Sequence, residues 1–143
     1  MDRRGPTLTI VADASMAISY LMYDERDSSA IALFDHGAQH RILVPCHWGL
    51  EVANALVMSA RRGRLDREGL VVARDLLTSL ESRCTVDLAL ATDSVFDLCL
   101  SHGLSAYDAA YIELCRRHGA HLATLDRKLA TAAASANVPL WVA

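Results

Sequence analysis

The stretch from Leu8 to Ser15, Leu-Thr-Ile-Val-Ala-Asp-Ala-Ser, constrains the fold of this chain more than any other. It is a short β-rich apolar run, bounded upstream by Gly5-Pro6, that ends on a carboxylate and passes into helical spacing at Ser15. A buried strand that stops there places Asp13 at a carboxyl end, where open α/β sheets gather their ligands. Asp is also a favoured helix N-cap, so Asp13 has two readings, cap or site.

The rest of the chain repeats this unit. β-rich runs from Arg41 to Pro45, Arg83 to Val86, His121 to Leu125 and Val138 to Val142 predict further strands, the last at a sheet edge because of Pro139. Helical periodicity predicts helices from Ser15 to Tyr23, Ser28 to Ala38, Trp48 to Ala60, Leu65 to Leu80, Thr92 to His102, Ser105 to His118 and Arg127 to Ala136. Thr92-Asp93-Ser94 supplies capping chemistry, and Gly63, Gly103 and Gly119 mark helix ends. Strands alternating with helices imply parallel pairing with crossovers, hence an α/β fold, a three-layer α/β/α sandwich around a mainly parallel sheet. The chain of 143 residues suits one core. We read residues 1–7 as an N-terminal extension and 8–143 as the single domain.

Two helices carry extra information. From Trp48 to Ala60 nearly every side chain is apolar except Glu51, Asn54 and Ser59. Such a helix buries more than one face, one in the core and one against a partner. The next helix has Leu70, Ala73, Leu77 and Leu80 on one stripe, and the two form an αα-hairpin with Arg61, Arg62 and Arg64 at its tip. Those arginines are candidates for guiding a nucleic-acid backbone; as a basic cluster at a helix end they need no such role.

No run approaches the ~18 unbroken apolar residues of a membrane span, and there is no secretory apolar region, so a cytoplasmic protein without membrane contact is expected. Cys46, Cys84, Cys99 and Cys115 lie far apart, with no Cys-x-x-Cys and no His at ligand spacing, which argues against zinc and for buried thiols. The net charge of −3 decides nothing: four clustered acids taken out of 17 would leave 13 facing 14 basic residues. Of those 14, only Lys128 is a lysine.

Most acids sit among polar neighbours and form solvated faces. Asp13, Glu51, Asp108 and Asp126 are instead flanked by apolar residues and fall at the carboxyl edge of the expected sheet. Each also has a structural role open to it: Ser105 to Asp108 scores as a capping box, Asp126 as an N-cap, and Glu51 as a partner of the helix dipole. Asp97 is apolar-flanked but mid-helix, and Asp87 reads as a turn residue. Four carboxylates crowded together repel one another unless a cation neutralises them, and an all-oxygen set selects Mg²⁺ or Mn²⁺. Mg²⁺ held by carboxylates and phosphate oxygens points to phosphoryl-transfer chemistry. Gly-x-Gly-x-x-Gly and Walker motifs are absent, as are the second Asp of a haloacid-dehalogenase phosphatase and a suitable phospho-receiver acceptor.

These residues resemble the PIN-domain ribonucleases, specifically the VapC toxins of VapBC toxin–antitoxin pairs. The resemblance rests on Ile10 to Ser15, Val44 to Leu56 (Val-Pro-Cys-His-Trp-Gly-Leu-Glu-Val-Ala-Asn-Ala-Leu), Leu104 to Tyr111 (Leu-Ser-Ala-Tyr-Asp-Ala-Ala-Tyr) and Ala123 to Leu129 (Ala-Thr-Leu-Asp-Arg-Lys-Leu), in the family's order. It implies a PIN-like fold and an acidic cluster of Asp13, Glu51, Asp108 and Asp126 that binds Mg²⁺ or Mn²⁺, with Asp13 and Asp108 as direct ligands. It implies supporting roles for Ser15, Asn54 and Thr124. The implied activity is endonucleolytic hydrolysis of RNA, leaving a 5′-phosphate and a 3′-hydroxyl, inhibited by a VapB-like antitoxin seated along the apolar helix. A homodimer is also implied. His47 and Trp48 are possible base-stacking residues, Trp48 being better explained by core packing. The competing expectation is a non-catalytic PIN-like module that binds metal or a protein.

Overall fold

The computed structural model describes residues 7–36 and 39–143. Its centre is a parallel sheet of β1 (Thr9–Ala12), β2 (Arg41–Pro45), β3 (Cys84–Asp87) and β4 (His121–Ala123) in the order β3-β2-β1-β4. The helices are α1 (Ala14–Leu21), α2 (Ser28–His36), α3 (Trp48–Arg61), α4 (Arg67–Glu81), α5 (Thr92–His102), α6 (Ala106–His118) and α7 (Arg127–Ser135), with one 3-10 turn at Tyr23–Glu25. Among the described residues a parallel sheet flanked by seven helices is found, the expected α/β arrangement. The proposed extension, residues 1–7, lies outside the described residues apart from Thr7, as do residues 37–38 at the expected end of the second helix.

Burial explains the strand order. Ile10, Val11 and Ala12 of β1 and Leu43 and Val44 of β2 are fully buried, as strands covered on both faces must be. The edge strand β3 leaves Val86 half exposed. α1 packs against α2, α3 and α4, while α6 lies along β1, β2 and β4 and against α5. Trp48, at 2% exposure, is a core residue, in keeping with its expected packing role.

Local chemistry moves several boundaries. Asp13 caps α1, accepting from the Met16 amide, so the helix begins at Ala14 rather than Ser15. β4 stops at Ala123, two residues early, because side chains claim the next amides: Leu125 N–H donates to Ser15 Oγ and Asp126 N–H to Thr124 Oγ1. The Val138 to Val142 strand reduces to one parallel bridge, Leu122 to Leu140, since so short a β4 offers little further edge to pair. The expected Thr92-Asp93-Ser94 cap is not used. Ala91 occupies the cap position, and its amide donates to Glu113 Oε1 at 3.3 Å. Cys46 is exposed rather than buried, because it follows Pro45 at the end of β2; Cys115 is buried, and burial pushes its thiol up to about 12.

Candidate active site

Register brings the first two acids together. Ala12 pairs with Ala123, and Asp13 N–H donates to the Ala123 carbonyl at 3.1 Å, so the residues following β1 and β4 leave the sheet side by side. Thr124 Oγ1 then donates to Asp13 Oδ2 at 2.5 Å and Ser15 Oγ donates to Asp13 Oδ1 at 2.6 Å. Asp13 is 4% exposed. Burial raises its carboxyl most, Asp126 adds repulsion, and the donors from Ser15, Thr124 and Met16 only partly oppose them, leaving it at about 6 against an ordinary 3.8. Asp126 itself caps α7 through the amides of Lys128 and Leu129. The cap and site readings are therefore compatible at both positions: a cap uses one face of the carboxylate.

Asp108 enters from α6. Ser105 Oγ accepts from the Asp108 amide, fixing the first turn of the helix. Burial, then Asp126, then Glu51 raise the Asp108 carboxyl above the ordinary range, against the opposing pull of Lys128. Asp13 and Asp108 are thus both within the field of Asp126, and Glu51 acts on Asp108.

Glu51, in the first turn of α3, is held by two residues that sequence reasoning did not assign to it. Tyr111 donates its hydroxyl to Glu51 Oε1 at 3.2 Å, and His47 Nε2 lies 2.9 Å from the same oxygen. His47 Nε2 also faces the Tyr107 carbonyl at 3.1 Å; both neighbours are acceptors, so Nε2 carries the proton. The imidazole sits edge-on to the rings of Tyr107 and Tyr111, at 5.6 and 5.2 Å between centroids. Burial first, then the charges of Glu51 and Asp13, drive the Tyr111 hydroxyl far above its ordinary range, so it remains a donor. The signal for Tyr111 was its spacing, one helical turn after Asp108.

Of the supporting residues, Ser15 and Thr124 touch Asp13 directly and Ser15 Oγ lies 3.5 Å from Thr124 Oγ1. Asn54 is exposed on α3, and among the described residues no hydrogen bond links it to the acids. Arg61 ends α3, about 15 Å along the axis from Glu51 in its first turn. Arg62 is exposed beside it, and Arg64 is paired with Glu25, so the basic tip stands apart from the acids. Asp87 ends β3 and is engaged by His118 Nε2 at 2.6 Å and Arg117 at 3.1 Å, which outweigh burial and lower its carboxyl. Its Oδ1 also accepts from the Ala89 amide at 2.9 Å, the turn role expected of it, so it is a turn and ion-pair residue and not a member of the cluster.

The donor set suits a hard divalent ion: carboxylates and hydroxyls, with no thiol among them. Among the described residues no three acids or histidines already converge on one point at ligand distance. Mg²⁺ needs no such cage, since it is commonly bound through one or two carboxylates plus waters and substrate oxygens.

The sequence matches the PIN domain family over residues 10–135. It is 32% identical over 124 residues to Ribonuclease VapC3 of Pyrobaculum aerophilum, spanning 86% of this chain and 93% of that protein. Among solved structures, PAE2754 from Pyrobaculum aerophilum superposes with a TM-score of 0.68 at 24% identity, covering 87% of this chain and 84% of that one. VapBC2 from Rickettsia felis, bound to a DNA fragment from its promoter, gives 0.66 at 14% identity over 94% and 98%. These superpositions are a likeness of fold.

Proposed function

The chain belongs to the PIN-domain family and is VapC-like, and on that premise we propose that it is an Mg²⁺- or Mn²⁺-dependent endoribonuclease, the toxin of a cytoplasmic toxin–antitoxin pair. One observation carries the reading. Asp13 is buried at the end of the central strand, and burial, with a smaller contribution from Asp126, lifts its carboxyl to about 6 while two hydroxyls are arranged to receive its charged form. A buried carboxylate whose charge is this costly is one that a bound cation would stabilise.

Asp13 and Asp108 would hold the ion directly, with Asp126 and Glu51 completing the acidic rim. Once bound, the ion supplies Lewis-acid stabilisation of phosphate charge and a more acidic water. The chain's own residues do the rest. Ser15 and Thr124 fix the Asp13 carboxylate in one orientation. Tyr111 and His47 take up Glu51 Oε1, leaving Oε2 to accept a proton from an attacking water. Attack on a phosphodiester would leave a 5′-phosphate and a 3′-hydroxyl.

The second face of α3 supports a protein partner. Leu50 and Val57 are exposed, and a cavity of about 610 Å³ between α3 and α4 is lined by Leu56, Val57, Leu70, Val71 and Leu77. An amphipathic segment of a VapB-like antitoxin fits such a groove, and a homodimer is the expected assembly.

Incubating purified protein with total RNA and Mg²⁺ or Mn²⁺, with EDTA and Asp13→Asn as controls, tests the activity. Cleavage lost in both controls is the expected result. Cleavage indifferent to both would refute the metal-nuclease reading, and none under any condition would favour the non-catalytic module.

A further inference from the structure

Beside the acids lies a second concavity, of about 410 Å³, lined by His102, Lys128, Thr131, Ala132 and Ser135. Both its walls lead out of the acidic rim. α7 starts at its cap Asp126, two residues before Lys128, and His102 ends α5 just ahead of Ser105, the cap of the helix that carries Asp108. Lys128, Thr131, Ala132 and Ser135 follow the i, i+3, i+4, i+7 spacing of one helix face. Among the described residues no carboxylate lines the cleft, and Lys128 has no acidic partner within ion-pair distance.

A helix C-terminus ordinarily repels anions, but Arg116 Nη2 donates to the Ala136 carbonyl at 3.0 Å, setting a guanidinium against the end of α7. From Lys128 to Ser135 the helix advances about 10 Å, room for about three nucleotides at the ~3.4 Å rise of a stacked strand. A phosphodiester held at the acids belongs to a continuous strand whose next phosphates must leave over the rim. Lys128, whose charge acts on Asp108 and which lines the cleft, is a cation on that route.

We propose that this cleft between α5 and α7 receives the RNA backbone on one side of the scissile bond, with Lys128 and His102 meeting its phosphates and Ser135 donating a hydroxyl at the far end. The proposal rests on the ribonuclease reading above and adds to it the path of the substrate.

The test uses the full chain carrying Asp13→Asn, which is expected not to cut. Its affinity for a fluorescein-labelled single-stranded RNA is read by anisotropy across a salt series. Lys128→Ala should weaken binding about tenfold and flatten the dependence of log K on log salt by about 0.7, the share of one single-strand phosphate contact. Ser135 is exposed and remote from the acids, so its charge variants isolate the cleft: Ser135→Glu should weaken binding at least about fivefold and Ser135→Arg strengthen it. In the otherwise native chain Ser135→Glu should raise KM with kcat within about twofold. If the parent binds RNA and the native chain cuts it, but both Ser135 variants stay within about twofold of the parent, the cleft is overturned while the ribonuclease reading stands. If the native chain neither binds nor cuts RNA, both fall.

Discussion

Thr124 donates its hydroxyl to Asp13 at 2.5 Å although 111 positions separate the two residues. Parallel pairing of β1 with β4 creates this contact, and through it the two halves of the acidic rim are joined. Thr124→Val should leave one oxygen of a buried carboxylate without a donor. The expected result is a further rise of the Asp13 carboxyl, with divalent-ion affinity at pH 7 reduced about tenfold or more by calorimetric titration.

Asp13 sets a pH dependence of stability. Its folded pKa of about 6 lies above the ordinary 3.8, so the folded chain holds that proton more tightly than the unfolded one. The stabilisation is fully present below about pH 4 and is lost as pH rises through about 6, amounting to about 3 kcal/mol. In metal-free buffer Asp13→Asn should therefore melt at least about 4 °C above the native chain at pH 8, with the gap closing near pH 4. Thermal melts across that range check it: a variant that inactivates and yet stabilises.

Mg²⁺ should reverse this cost. An ion that binds only the folded chain stabilises it by mass action, and protons compete with it for Asp13. The rise in Tm on adding Mg²⁺ should be larger at pH 8 than at pH 5 and be cancelled by EDTA. Melts with and without the ion at both pH values measure it.

Tyr111→Phe removes one of the two donors to Glu51 Oε1 and keeps the buried ring in place. Stability should fall by about 1 kcal/mol and RNA cleavage by about tenfold or more, read by denaturant titration and by initial rates.

Glu113, 3% exposed, is held by Arg117 Nε at 2.6 Å, and Arg117 also reaches Asp87 and the Ala89 carbonyl. Arg117→Ala leaves that carboxylate buried with only the Ala91 amide. A loss of about 3 kcal/mol in urea unfolding is expected, without a specific effect on metal binding.

The acids were legible because each follows a strand or opens a helix whose period is visible in the sequence, and the carboxyl edge of a parallel sheet is a shared address. What escaped depends on contacts across the chain. The end of β4 is set by Ser15, and the start of α5 by Glu113, neither local in sequence. His47 suggested base stacking, but its proton is directed at Glu51 and the Tyr107 carbonyl, a role set by how α3 and α6 approach each other. Glu113 was hidden in an apolar helix face, its one trace being the i, i+4 pairing with Arg117.

Crystals soaked in Mn²⁺ and measured for anomalous scattering test the central claim most directly. A peak bounded by Asp13 and Asp108, lost in Asp13→Asn crystals, is the expected result. Ordered Mn²⁺ elsewhere on the surface with none between those two carboxylates would contradict it.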